Sequence, residues 1–314
     1  MKLLLVTHHR RRKEAFRSGH LGRQLAKCEH EVTLLCTSNK ARFGIKEYDE
    51  DGVHYVEAPD LLVGNLRSGW DIWDIFNRAR WLGNRDYDLI HAFDTRPATI
   101  HPILWHLKKR PTPLVIDWCD WWGRGGPIKE QRPFWYRPVF GPLETYYEEH
   151  FRTLADGTTV ISHALGERAA TLGVPPDTIY WVPNGASGDE VKPVDSGIHR
   201  AKFGLPENAC LLFDAALDVT IGIELVLNAI KIAARTCPRL LMVMTGGKGR
   251  KLTAKAERLG VESTSDTWAC CRTVTSARRS RVPTYSSSRS PTPLRTVGGG
   301  PEEWASSCRW VGLS

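Results

Sequence analysis

Nine short runs of apolar or β-branched residues recur along the chain: KLLLVT, HEVTLLCT, GVHYVEAP, YDLIHAF, PLVIDWC, GTTVIS, TIYWVPN, ACLLFDAAL and LLMVMTGG. Longer amphipathic segments separate them, and helices are expected at 19–27, 70–84, 97–108, 143–155, 163–172, 222–235 and 250–259. Runs this apolar suit strands buried on both faces. The predicted fold class is therefore α/β, with parallel sheets covered by helices.

With 314 residues the chain has room for two domains, each with its own core. The stretch SGDEVKPVDSGIHRAKFGLPEN lacks apolar periodicity and carries Pro and Gly, which puts a junction near 186–195. The expected domains are 1–186 and 196–262. Seven strands precede the junction and two follow it, so the second domain reads as incomplete. Beyond 262 the character changes: TWACCRTVTSARRSRVPTYSSSRSPTPLRT is Ser, Arg, Thr and Pro nearly throughout. Such a composition buries too little apolar area to offset the entropy of ordering, and residues 263–314 are expected to lie outside the fold.

A net charge of +8 favours an anionic partner without distinguishing nucleic acid, a phosphorylated substrate or a membrane surface. No nucleic-acid-binding module is recognisable, and nucleic acid is not expected as a partner. The eight cysteines show neither paired CxxC spacing nor the density of a secreted scaffold, so free thiols are expected. No apolar run approaches the length of a membrane span, and MKLLLVTHHRRRKE places its charges after the apolar run, the reverse of a signal peptide. A cytoplasmic location follows as the expectation.

In doubly wound sheets chemistry sits outside the carboxyl ends of the strands. After the first run, Ser18 and Gly19 precede a helix whose free N–H groups are suited to a phosphate; a plain βα loop with a solvated basic run is the competing reading. The absence of GxGxxG there weighs against a dinucleotide-dependent dehydrogenase or epimerase. After the fourth and fifth runs come HAFDTRP and IDWCDWWGRGGP. His91, Asp94, Asp117 and Asp120 are expected to converge on one crevice as acid, base or hydroxyl-binding groups. Singly, each competes with a helix-capping or turn-forming role. Their spacing matches no metal-ligand pattern, and no metal is expected. The next loop, GRGGPIKEQRPFWYRPVFG, interleaves arginines with aromatics. It suits a peripheral contact with a membrane or with the apolar part of an acceptor, Trp135 and Tyr136 at the interface, as well as it suits a packed surface loop.

Four blocks, DYDLIHAFD, ADGTTVISHALGERAATLGVPPDTIYWVPNGAS, HRAKFGLPENACLLF and IGIELVLNAIKIAARTCPRLLMVMTGGKG, resemble successive segments of the retaining glycosyltransferases of family 4. The match covers most of 1–262, and SGHLGRQLA…HEVTLL is a weaker form of that family's Gly-led opening. The resemblance implies a GT-B fold, with two Rossmann-like domains, the first contacting the acceptor and the second a nucleoside-diphosphate sugar. It implies no metal and a sugar or lipid-linked acceptor; no cofactor is expected, and peripheral contact at the inner membrane face stands as one option for the Arg/aromatic loop. Asp120, Asp117 and His91 are the catalytic candidates, Asp120 foremost because it follows the strand that bears the family's catalytic-site His; Ser18, Gly19, His20, Asp94, Asn184 and Gly185 are the substrate-binding ones. Gly246, Gly247 and Lys248 fall in the donor-binding block. Two departures stand out. Many members carry a His where this chain has Asp117 and Asp120, and Ala216 and Ile221 stand where an Arg and a Lys commonly meet the donor diphosphate.

Reverse translation of the tail is informative. Read from the third base of the Asp266 codon, the codons allow HLGVLPY, the family's next block; the same frame over RTVGGGPEEWASSCRWVGLS permits a donor-site segment. Two origins stand against each other, a shifted reading frame near 262–266 and a natural Ser/Arg/Pro extension. Two functions do likewise: a retaining glycosyltransferase impaired at its donor site, and a non-catalytic protein that holds an anionic or glycolipid-like ligand. Sugar-nucleotide turnover separates them.

Overall fold

A computed structural model describes residues 1–10, 17–61, 68–126, 134–185, 188, 198, 200–201, 205–215, 223–245, 255–261 and 270–274. It divides into two compact units, Met1–Gly185 and Ala186–Ser314. All nine apolar runs form strands.

The first unit is built on an eight-stranded sheet: β1 (Lys2–Arg10), β2 (Glu31–Thr37), β3 (Lys46–Glu50), β4 (Val53–Ala58), β5 (Leu89–Phe93), β6 (Leu114–Trp118), β7 (Gly157–Val160) and β8 (Ile179–Trp181). Their order is β3-β4-β2-β1-β5-β6-β7-β8, and only the β3–β4 pair is antiparallel. β3 is an addition to the sequence reading. Its KEYDE has no buried side chain, so hydrophobic patterning has nothing to detect, and its charges suit an edge that must resist further pairing.

Among the described residues five α-helices cover the sheet: α1 (Arg17–Lys27), α2 (Ile72–Leu82), α3 (Pro97–Leu107), α4 (Tyr136–His150) and α5 (His163–Thr171). Because strand side chains alternate, two separate cores form. Leu3, Leu5, Val32, Leu34, Tyr55 and Phe93 pack with Leu21 and Leu25 of α1. Leu4, Val6, Val56, Ile90, Ala92 and Ile116 face Leu82, Ile100, Ile103 and Phe151 on the other side. α4 begins seven residues before the 143 expected and ends before 155. Pro142 lies inside it, and an interior proline costs a backbone hydrogen bond that local propensity counts against a helix.

The order of strands reverses beside β1, with β2 on one side and β5 on the other. Such a reversal in strand order is where open α/β sheets bind ligands, outside the carboxyl ends of the strands.

In the second unit β9 (Cys210–Ala215), β10 (Leu240–Thr245) and β11 (Cys270–Val274) form a parallel sheet in the order β11-β10-β9. α6 (Ile223–Ala233) packs Ile223, Leu227 and Ile230 against Met242, Ala256 and Val261. β11 lies beyond residue 262, where the sequence reading ended the second domain, as a third strand after the two expected. Its Cys-Cys-Arg-Thr-Val is strand-compatible, but Arg272 interrupts the apolar run that marks the other strands. The remainder of 263–314 lies outside the described residues. Among the described residues no helix is long and apolar enough to cross a membrane.

Candidate functional site

On the α1 face, Asp117 near the end of β6 is 1% exposed and accepts hydrogen bonds on both oxygens. Arg17 approaches in a fork, Nε at 2.9 Å from Oδ2 and Nη2 at 3.1 Å from Oδ1. Thr159 Oγ1 donates to Oδ1 at 2.5 Å, and the Cys119 thiol donates to Oδ2 at 2.8 Å. His91 Nε2 lies 3.2 Å from the same Thr159 oxygen. The hydroxyl proton is committed to Asp117, so Nε2 carries the proton of a neutral imidazole and donates to Thr159. Burial pushes the His91 pKa down to about 4, with Asp117 opposing and Arg17 reinforcing. Burial and the Asp117 charge raise the Cys119 thiol well above its ordinary range, so it is no ready nucleophile.

Arg17 reaches further, donating to Val182 O at 2.5 Å, Pro183 O at 3.2 Å and Asn184 Oδ1 at 3.1 Å. It thereby ties the last residues of the first unit to the first turn of α1. Ser18 and Gly19 are buried in that turn rather than preceding it. His20 is exposed and its Nδ1 is 3.0 Å from Arg23 Nη2, while nothing stands within 4 Å of a Cβ added at Gly185.

The opposite face holds a pocket lined by Trp70, Asp94, Thr95, Arg96, Asp120, Trp122, Glu144, Tyr147 and Glu148. Asp94 directly follows β5 with φ 87°, a left-handed conformation unfavourable for a residue with a Cβ. It is held there by Thr95 N at 2.5 Å from Oδ1 and by Arg96 Nε at 3.2 Å from Oδ2, with His8 Nδ1 3.4 Å from the same oxygen. Burial raises the Asp120 pKa; hydrogen bonding by Trp122 and the Arg96 charge oppose the shift, and the Asp94 and Asp117 charges reinforce it. Burial also raises Glu148, which accepts from Trp118 Nε1 at 2.9 Å, from Trp122 N at 3.0 Å and from Gly123 N. Behind it the buried Arg152 lies 3.9 Å over the Trp118 ring, its pKa pushed down to about 10 by burial against the pull of Glu148. Two buried polar atoms in the wall, Trp70 Nε1 and Thr95 Oγ1, have no protein partner. A buried polar atom left bare is costly, and the enclosed space beside this pair, about 20 Å³, has room for a water molecule to meet them.

The family model of Glycosyltransferase Family 4 matches residues 18–189, more than half of the chain. The chain belongs to Glycosyltransferase Family 4. Among solved structures it is similar to sucrose-phosphate synthase from Thermosynechococcus elongatus, at 15% identity and TM-score 0.57, over 82% of this chain and 66% of that one. It is also similar to a glycosyltransferase from Rickettsia africae, at 12% identity and TM-score 0.54, over 87% and 67%. The chain spans about two thirds of the length of these structures. At such identities the likeness shows the fold alone, α/β of the GT-B type. No curated protein sequence matches.

For this family-4 chain the single crevice expected to gather His91, Asp94, Asp117 and Asp120 resolves into two groups. His91 and Asp117 lie within β5 and β6, where alternation turns them to the α1 side; Asp94 and Asp120 lie beyond the strand ends, in loops that curl over α4. Gly246, Gly247 and Lys248 lie outside the described residues, as do Ala216 and Ile221. Sequence reasoning missed Arg17, Thr159, Trp70, Glu144 and Glu148. Only the glutamates left a trace, an i, i+4 pair on a helix that also carries Tyr136, Phe140, Tyr146 and Tyr147.

Proposed function

We propose that this family-4 chain is a retaining glycosyltransferase that uses a nucleoside-diphosphate sugar, and that the α4-side pocket receives the acceptor, a sugar or lipid-linked sugar. One observation carries the reading. Two carboxylates, Asp94 and Asp120, share a pocket with a bare indole N–H, a bare hydroxyl and the Trp70 and Trp122 side chains. Carboxylates accept from sugar hydroxyls, the indole donates to one, and aromatic faces cover the C–H surface of the ring. Asp120, held less acidic by burial, accepts a hydrogen bond from the acceptor hydroxyl and orients it. Asp94 and Arg96 orient neighbouring hydroxyls. His91 and Asp117, engaged with Thr159 and Arg17, support the site from the other face.

Donor turnover by this 314-residue form is proposed to be weak, since Ala216 and Ile221 replace the cations that a departing diphosphate needs. We further read the tail as the product of a shifted frame, which resequencing across codons 255–275 tests directly. The acceptor assignment is tested by ligand-observed NMR with a panel of sugars. Binding that weakens roughly tenfold in Asp120→Asn supports it; no sugar binding, or binding indifferent to Asp120 and Asp94, overturns it.

A further inference from the structure

The chain as a whole is basic, at +8, yet the pocket beside α4 is acidic. Asp94, Asp120, Glu144 and Glu148 line it against one basic side chain, Arg96. That arginine is already engaged, its Nε at 3.2 Å from Asp94 Oδ2 and its Nη1 donating to Ser68 O at 3.0 Å. Glu144 and Glu148 turn inward from α4, each 6% exposed. Glu148 accepts from Trp118, Trp122 and Gly123, whereas Asp120 makes no ion pair among the described residues. A second observation is independent of charge. Thr95, 1% exposed, lines the same pocket, and its Oγ1 has no protein partner. A hydroxyl oxygen in that state offers lone pairs to an incoming donor. The enclosed space of about 20 Å³ takes one group the size of a water molecule.

We infer that the acceptor taken by this pocket is an amino sugar with a free, protonated amine, and that its ammonium group fills the enclosed space beside Asp120, Asp94 and Thr95 Oγ1. The inference rests on the acceptor reading of this pocket. Charge excludes a phosphate or a carboxylate, which the lining acids repel. Size excludes an acetamido group, whose carbonyl and methyl need more room than one water. A hydroxyl fits the space but leaves the lining charge unanswered. An ammonium brings N–H donors for both carboxylates and for Thr95, and a charge-assisted hydrogen bond is roughly twice as strong as a neutral one. Burial and the Asp94 and Asp117 charges raise the Asp120 pKa, a strain that a neighbouring cation relieves. The carboxylate has lone pairs left for the acceptor hydroxyl, and Trp70 Nε1–H remains for another oxygen of the same sugar.

The test is ligand-observed NMR on the full chain with glucosamine, glucose and N-acetylglucosamine, at a pH below the pKa of the amine. Glucosamine is expected to bind about tenfold more tightly than either of the others. In Asp120→Asn, which keeps the shape and removes the charge, that preference should fall to about twofold or less. In Thr95→Val, which removes only the bare oxygen, glucosamine binding should weaken about threefold or more. Circular dichroism and thermal unfolding establish that both variants fold, and the comparison of the three sugars on the native chain needs no variant. Glucose or N-acetylglucosamine bound as tightly as glucosamine overturns the inference and leaves the acceptor reading standing. A preference that Asp120→Asn leaves intact also overturns it, as does undiminished binding in Thr95→Val. Absence of binding by all three sugars overturns both readings.

Discussion

Arg17 and Asp117, separated by 100 positions in the chain, meet as a two-point ion pair with N–O distances of 2.9 and 3.1 Å. The carboxylate is 1% exposed and the guanidinium 15%. An arginine fork matches a carboxylate as a lysine cannot, and here the same guanidinium also holds residues 182–184.

Removing that cation strands a buried carboxylate. Arg17→Leu is expected to destabilise the first unit by about 3 kcal/mol, the lower end for a broken buried pair, because Thr159 and Cys119 still donate to Asp117. Urea unfolding followed by tryptophan fluorescence measures it. Nine of the twelve tryptophans precede residue 186, so the signal reports mainly this unit.

His91 makes stability depend on pH. Its folded pKa of about 4 lies below the ordinary 6.5, so the unfolded chain binds the extra proton between those values. The stabilisation is complete above pH 6.5 and is lost as pH falls toward 4, about 3 kcal/mol over the window. In His91→Gln, which keeps a donor for Thr159, the fall in unfolding free energy across that window should be shallower than in the native chain by about one proton's worth. Parallel curves would count against the buried neutral imidazole.

Gly69 has φ +86°, and a Cβ there would come within 2.8 Å of the His8 Cβ and 3.0 Å of the Arg96 Cβ. Gly69→Ala therefore combines backbone strain with a clash on both strand ends that frame the crevice. A loss of about 2 kcal/mol or more is expected, with the adjoining Trp70 displaced from the pocket wall. Thermal unfolding and acceptor binding should worsen together. A stable variant that binds sugar normally would show that this loop does not set the pocket.

Nucleotide-sugar affinity tests the donor reading. Calorimetry with uridine- and guanosine-diphosphate sugars is expected to show binding weaker than micromolar and negligible turnover. Micromolar binding by this form would mean that its own residues supply the diphosphate contacts despite Ala216 and Ile221.

β11 also makes a claim that a protease can check. Its pairing with β10 places Arg272 opposite Val243 within a parallel ladder. Limited trypsin digestion with mass spectrometry should find cleavage after Arg272 suppressed in the folded chain and restored in urea. Ready cleavage there under native conditions would remove the third strand.

Local pattern determined the scaffold. Nine apolar runs with amphipathic segments between them were enough for the strands and their largely parallel arrangement, because burial on both faces demands continuous apolar sequence whatever its partners, and the resemblance of four sequence blocks was enough for the family. Strand-end logic also located Asp94 and Asp120 at a pocket. What only the tertiary structure decided depends on long-range pairing. The side of the sheet on which His91 and Asp120 fall, the fork between Arg17 and Asp117, and the inward turn of Glu144 and Glu148 are absent from any local window. β3 and β11 escaped for a related reason: their places come from backbone hydrogen bonds to a neighbouring strand, and those bonds carry no side-chain signature.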